Sequence, residues 1–415
     1  MNSKKEGVPM QPEKKTGFVP KLRFPEFLGT AEWKFVPLNK LAKRCTQKNR
    51  ITAITRVLTN SAEYGVVDQR DYFDKDIATQ GNLESYYVVE KGDYVYNPRI
   101  STSAPVGPIS KNNVATGVMS PLYTVFRFGD SRNEFYASYF KTSGWHQYMR
   151  QVSSTGARHD RMAITNDDFM AMPLPVSTPE EQQKIADCIA SLDELITLEA
   201  KKLDAIKAHK KGLVQQVFPA EGETLPKLRF PEFQGSCEWT PKPLGEICNM
   251  QAGKFVAASE ILESQGDGLY PCFGGNGLRG YTKTFNQSGR YSLIGRQGAL
   301  CGNVNLVDGT FHATEHAVVT TPKQGCDTDW LFYNLCFLNL NRFATGQAQP
   351  GLSVDVLEKI ICAIPTDVKE QKQIANLLAT LDEFITTQAK KIDALKEHKK
   401  GLLLQLFPTT AEVHG

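Results

Sequence analysis

The sequence predicts a mixed α/β (α+β) protein of two globular domains joined by two long coiled-coil helices, the whole built as an internal pseudo-twofold repeat. Three observations predict it. The octapeptide PKLRFPEF stands at residues 20–27 and again at 226–233, an offset of 206, and internal repeats of this kind reveal architecture before any local pattern does. Residues 181–219 match residues 370–408 at an offset of 189, with 24 identities in 39 positions. Both matched stretches space their apolar residues alternately by four and three, which is a coiled-coil seam.

In chain order the expected elements are a flexible leader over 1–19, a first globular domain over 20–178, a long helix over 179–219, a second globular domain over 220–367, a second long helix over 368–408 and a tail over 409–415. The leader, MNSKKEGVPMQPEKKTG, has charges where a signal peptide needs an apolar core, so no export is expected. In the first domain, β-branched and aromatic runs at 86–89, 93–96 and 122–128 read as strands and 134–150 as a helix. The first long helix opens at Pro179 with Glu180 and Glu181 and stops before Pro219; acids in the first turn and a proline past the last are ordinary helix boundaries. Its seam is Ile185, Ile189, Leu192, Ile196, Leu203 and Ile206. In the second domain, 291–294 and 317–320 read as strands and 329–343 as a helix, and the second seam is Ile374, Leu378, Leu381, Ile385, Ile392 and Leu395. The offset falls from 206 to 189 between the matched stretches, so the first insert is longer by 17 residues, and the two inserts have diverged almost everywhere. Similar frames enclosing different contents imply two domains that do one kind of job on different targets.

Glu199 and Gln388 interrupt the two seams near the middle, and Lys210 and Lys399 interrupt them again further on. A polar residue in a seam costs stability and fixes register, and full-length antiparallel packing would bring Glu199 to Gln388. Cys188 and Leu195 in one helix, with Leu377 and Phe384 in the other, widen the apolar face beside the seam. A two-helix coil would leave that strip wet, so the expectation is a helix of a partner chain packed there, the alternative being contact with the body of each helix's own globular domain.

The chain has 415 residues and a net charge of +3, too mild to announce nucleic acid by itself, so any basic surface must be local. Nine cysteines without a CxxC pair point to a reducing cytoplasm rather than to a zinc or disulfide framework. The longest mostly apolar uncharged run, 330–341, is too short to span a bilayer. Candidate base-reading residues stand in the loops: Asn97 and Arg99, then Arg158, His159 and Arg161 in the first insert, and Arg279, Arg296, Gln297, Gln347 and Gln349 in the second. Arginine forks onto guanine, and asparagine or glutamine onto adenine.

Two motifs point elsewhere and fail on context. Gly275 to Gly280 satisfies GxGxxG, but a strand-like stretch follows where a nucleotide site needs a helix. His312 to His316 satisfies HxxEH, but its strand-like flanks would hold the two imidazoles far apart. There is no GxxxxGK. No catalytic constellation, metal site or cofactor site survives this reading.

Two diverged inserts, each opened by LRFPEF and a tryptophan and closed by EQQKIADCIASLDELI or EQKQIANLLATLDEFI running into KKGL and Phe-Pro, closely resemble the DNA-specificity subunit of type I restriction-modification systems. The resemblance implies that each insert is a target recognition domain reading one half of an asymmetric bipartite sequence in double-stranded DNA, and that the two helices pair as an antiparallel coiled coil that sets the spacer. It also implies two methyltransferase subunits, which would dock on the helices and supply S-adenosylmethionine and adenine N6 methylation, and two restriction subunits with ATP and Mg. The chain itself would be a cytoplasmic, non-catalytic reader without a cofactor and without a membrane partner.

Overall fold

The computed structural model describes residues 17–50, 53–72, 80–130, 134–153, 160–298, 300–346 and 350–407. These fall into two compact units, one drawn from residues up to Leu198 together with those from Ile392 onward, the other from Glu199–Lys391. The long helices run over Pro179–Val217 and Val368–Leu406, 39 residues each, about 58 Å at the helical rise. Both stop two residues before a proline (Pro219 and Pro408), because the residue preceding proline is pushed out of the helical region.

In the first unit the central sheet has the spatial order Ala42–Arg44, Thr124–Phe128, Tyr94–Tyr96, Ile109–Lys111, all antiparallel. In the second the order is Cys248–Ala252, Ala317–Pro322, Gln287–Gly295, Val304–Ala313, again antiparallel, and the hairpin Tyr270–Gly274 with Gly277–Thr282 extends that sheet to six strands. The registers correspond. Phe128 faces Ala42 as Pro322 faces Cys248, and Thr124 faces Tyr96 as Val318 faces Ile294. The diverged inserts therefore share a four-stranded scaffold that their sequences no longer display. What persisted is burial: Tyr94, Val95 and Tyr96 in one sheet and Leu293 and Ile294 in the other are all interior, and many apolar side chains satisfy that requirement.

Helix packing on these sheets differs from the sequence expectation. The stretch 134–150 is two short helices, Glu134–Tyr139 and His146–Val152, broken where the Thr142 hydroxyl donates to Tyr139 O at 2.8 Å and accepts from Gly144 N at 3.3 Å. Local hydroxyl bonds of this kind compete with the helical ladder. Its counterpart is a helix over Thr328–Phe337, started by the Asp327 carboxylate accepting from Asp329 N and Trp330 N, then a 3-10 turn over Leu340–Phe343 entered through Asn339 at φ 50°. Gly17–Phe18, expected in a flexible leader, is a strand paired with Trp33 and Lys34, held because Phe18 stacks on Phe35 at 4.6 Å and meets Trp33 edge-on at 6.0 Å.

One cluster ties each domain to its helix. Arg23 Nε and Nη2 donate to the two carboxylate oxygens of Glu181 at 2.7 and 2.8 Å, Trp33 Nε1 donates to Glu181 Oε2 at 2.9 Å, and Arg23 Nη2 reaches Ala31 O at 3.0 Å. In the second unit Arg229 Nε and Nη2 donate to Glu370 at 2.8 and 2.9 Å, Trp239 Nε1 donates to Glu370 Oε1 at 3.2 Å, and Arg229 reaches Ser236 O and Cys237 O, each at 3.0 Å. The ion-paired side chains are 8% exposed at most. The arginine of LRFPEF and the glutamate of the helix's first turn are thus one buried, bidentate lock, and the repeated sequence is the repeated lock. Their separations of 158 and 141 residues gave no local pattern by which to find it.

Each long helix contributes to both hydrophobic cores. Ile185, Ile189, Leu403, Leu406 and Phe407 belong to the first, with Phe407 5.0 Å from Phe135. Val217, Phe218, Ile374 and Leu378 belong to the second, around Trp239 and Trp330.

Candidate nucleic-acid interface

In the first unit, the strand ending at Tyr96 continues into Asn97, Pro98 and Arg99, which pair with the chain around Arg161. Met162 N donates to Pro98 O at 2.9 Å, Ile100 N to Asp160 O at 3.0 Å, and Arg99 and Arg161 form an antiparallel bridge. Asn97 Nδ2 donates to Asn60 O at 2.9 Å and its Oδ1 accepts from Arg99 N at 3.0 Å, so this amide shapes the turn. Arg99 is 64% exposed with its Nε 3.9 Å from Asp160 Oδ2, and Arg161 Nε lies 3.6 Å from the same oxygen. Both distances exceed a hydrogen bond. Two guanidinium groups thus share one carboxylate, which leaves an excess positive charge at a solvent-facing ladder. Arg158 and His159 lie outside the described residues.

In the second unit Leu352 N donates to Arg296 O at 2.9 Å, Gly298 N to Pro350 O at 3.0 Å, and Gln297 bridges Gly351. Arg296 N donates to His316 O at 2.9 Å. Its guanidinium reaches Leu352 O and Glu315 O only at 3.4 Å each, so Arg296 holds two loops together while Gln297 is exposed. The glycine hairpin packs against this group: a Cβ at Gly275 would stand 2.8 Å from His316 O, so only glycine fits there. Arg279 is exposed on the following strand. That placement agrees with reading GxGxxG as a β-turn. His312 sits in the strand Val304–Ala313, its Nδ1 3.0 Å from Thr284 Oγ1 and its Nε2 3.0 Å from Lys254 O, so both ring nitrogens are engaged. Gln347 and Gln349 lie outside the described residues.

One surface residue escaped the sequence reading. Phe255 is 75% exposed in a loop whose start is fixed by Gly253 N on Ala317 O and Lys254 N on Ala313 O, both at 2.9 Å, next to the loop that carries His316. A lone phenylalanine normally reads as core, so its type gave no signal; the Gly-Lys pair before it was the available hint.

Along the helices, Ile185, Ile189, Ile374, Leu378 and Ile392 are buried, while Leu192, Ile196, Leu203, Ile206, Leu381, Ile385 and Leu395 are partly buried. Glu199 and Gln388 do meet: Gln388 Nε2 donates to Glu199 Oε2 at 2.5 Å and to Glu199 O at 3.0 Å, and Lys391 Nζ donates to Glu199 Oε1 at 2.5 Å. Lys391 first, then Gln388, holds the Glu199 carboxyl below its ordinary pKa. In the same unit Lys210 Nζ donates to Asp382 at 2.5 Å; in the other, Lys399 donates to Asp193. Within each unit, then, the helix segments run antiparallel. Of the four residues expected to face a partner, Leu195 and Phe384 are exposed at 40% and 58% and Cys188 is half-buried. Leu377 instead packs on the core of its own unit.

The model of the type I restriction modification DNA specificity domain matches residues 30–208 and 237–397, and the chain belongs to that family. Among curated proteins it is 48% identical over 146 residues to the EcoprrI specificity subunit of Escherichia coli, a match covering 35% of each chain. It is also 22% identical over 325 residues to the MjaVIII specificity subunit of Methanocaldococcus jannaschii, covering 71% of this chain and 73% of that one. The matched stretch thus spans about a third of the E. coli subunit. Among solved structures, the type I restriction-modification S subunit from M. genitalium aligns with a TM-score of 0.58 at 16% identity over 95% of this chain and all of its own. A chain from a structural study of complex assembly and conformational transition in the type I system aligns at 0.57 and 18% identity, covering 89% of this chain and 96% of that one. At these identities the likeness establishes the fold.

Proposed function

We propose that this chain is the DNA-reading subunit of a type I restriction-modification assembly, each globular domain reading one half of an asymmetric bipartite target in double-stranded DNA. The observation that carries this reading is the shared four-stranded scaffold with different side chains at matched places. A shared backbone places side chains at matched positions, and different side chains there suit different base edges. The paired helices set the spacing between the halves, with Glu199 against Gln388 fixing their register. Leu195 and Phe384 offer apolar anchors to two methyltransferase subunits, which bring S-adenosylmethionine and adenine N6 methylation, and two restriction subunits add ATP- and Mg-dependent translocation and cleavage. The chain carries no chemistry of its own and works in the cytoplasm. Among the described residues no helix is long and apolar enough to cross a membrane.

The test is modified-base sequencing of DNA from cells expressing this chain with its methyltransferase partner, against cells with the partner alone. The expected result is N6-methyladenine at one asymmetric bipartite motif that vanishes without the chain. A motif that persists in its absence would overturn the reading.

A further inference from the structure

The strand-exit ladders of the two units occupy the same place in the same scaffold. Counting from the paired registers, Tyr96 corresponds to Ile294, so Pro98 corresponds to Arg296 and Arg99 to Gln297. The hydrogen bonds agree: Met162 N on Pro98 O and Leu352 N on Arg296 O are both 2.9 Å. The bridges agree as well, Arg99 with Arg161 and Gln297 with Gly351. This match comes from sheet register alone, since no sequence identity links the two stretches. Two ladders with the same bonds present their next side chain in the same direction relative to their own sheet, and in both units that side chain is exposed.

We infer that Arg99 and Gln297 are one duplicated reading position, at which the first domain takes guanine and the second takes adenine. An arginine fork presents only donors and matches the paired N7 and O6 acceptors of guanine, whereas a glutamine amide presents one donor and one acceptor and matches N6 and N7 of adenine. The surroundings suit each choice. Asp160, at 3.9 Å from Arg99 Nε, is close enough to steer the guanidinium and too far to consume its donors. In the second unit the bridge partner of Gln297 is Gly351, which brings no side chain and so no charge of its own to compete with an uncharged amide.

This inference rests on the specificity reading above, and the experiment separates the two. Once the methylated motif of the parent chain is known, the complex of this chain with its methyltransferase partner is titrated against duplexes altered at each base pair of both half-sites. Arg99→Gln should erase a preference for guanine of about 10- to 100-fold at one position of one half-site and leave the other half-site unchanged. Arg99→Lys, which keeps the charge and can still donate to N7 and O6 but loses the planar fork, should keep part of that preference where Arg99→Gln keeps none. Gln297→Arg should act on one position of the other half-site only, and it stands in a separate unit if the Arg99 variants fail to assemble. Unaltered preferences at every position, or a loss spread evenly over both half-sites, would overturn the assignment of these residues. A parent chain that directs no bipartite methylation would sink the specificity reading itself.

Discussion

In the first unit Asp193 receives Lys399 from the other long helix and has Lys141 of the globular domain at 3.6 Å. In the second, Asp382 receives Lys210 from the other helix at 2.5 Å, and its remaining oxygen accepts the Tyr333 hydroxyl at 2.8 Å, with the Lys210 amine 5.3 Å over the same ring. The helix-to-helix contact is repeated, and the contact that the diverged insert makes with the same carboxylate is not. Burial lowers the pKa of Lys399, with Asp193 opposing; the neighbour in the second unit is neutral. The frame thus keeps its own contacts and lets each domain meet it with whatever group that domain offers. The Arg–Glu–Trp locks are the other extreme, matched donor for donor. A contact internal to the frame is copied with the frame, while a contact to an insert is free to change with the insert.

The largest expected effect tests the sameness of the locks. Glu181→Ala and Glu370→Ala each leave a buried arginine without its partner, at a cost of about 3–5 kcal/mol, and denaturant unfolding should show similar losses for both. A variant that unfolds like the parent would show that its lock is ornamental. A smaller effect tests the difference. Lys399→Met leaves Asp193 with Lys141, whereas Lys210→Met leaves Asp382 with only a hydroxyl, so the second change should destabilise more, both by about 1 kcal/mol or less as expected of partly exposed pairs. The reverse order of midpoints would refute the comparison.

The smallest effect depends on pH. Lys391 and Gln388 depress the Glu199 pKa, so the folded value lies below the unfolded one. The stabilisation is complete above the unfolded value and is lost as pH falls through the folded one. Thermal unfolding of the parent and of Glu199→Gln should therefore differ at neutral pH and converge in acid. A difference that stays constant across that range would assign the contact to geometry rather than charge.

How much of this was legible follows from the range of the interactions. The long helices, their seams and the meeting of Glu199 with Gln388 were readable because periodicity and repeat offset are local signals carried by side-chain type. The glycine hairpin was readable because the residues that follow it are strand-like. The Arg23–Glu181 lock and the equivalence of Arg99 with Gln297 were not, since both depend on which strands become neighbours. The break at Thr142 was missed because a single hydroxyl decided between one helix and two. Leu377 was misplaced because helical spacing tells which residues share a face and not what covers that face.

The distribution of each long helix between two cores has a consequence for the order in which the chain is made. Residues 199–391 form a unit from one continuous stretch, so the second core can close as soon as that stretch has left the ribosome. The first core waits for Leu403, Leu406 and Phe407, the last described residues to be synthesised. Of the two units the first in sequence is thus completed after the second, and a product ending before Phe407 would leave Phe135 and Tyr139 without the ring that covers them, at 5.0 and 5.7 Å. Early termination would therefore damage the amino-terminal domain first, exposing apolar surface of the kind that makes incomplete chains aggregate.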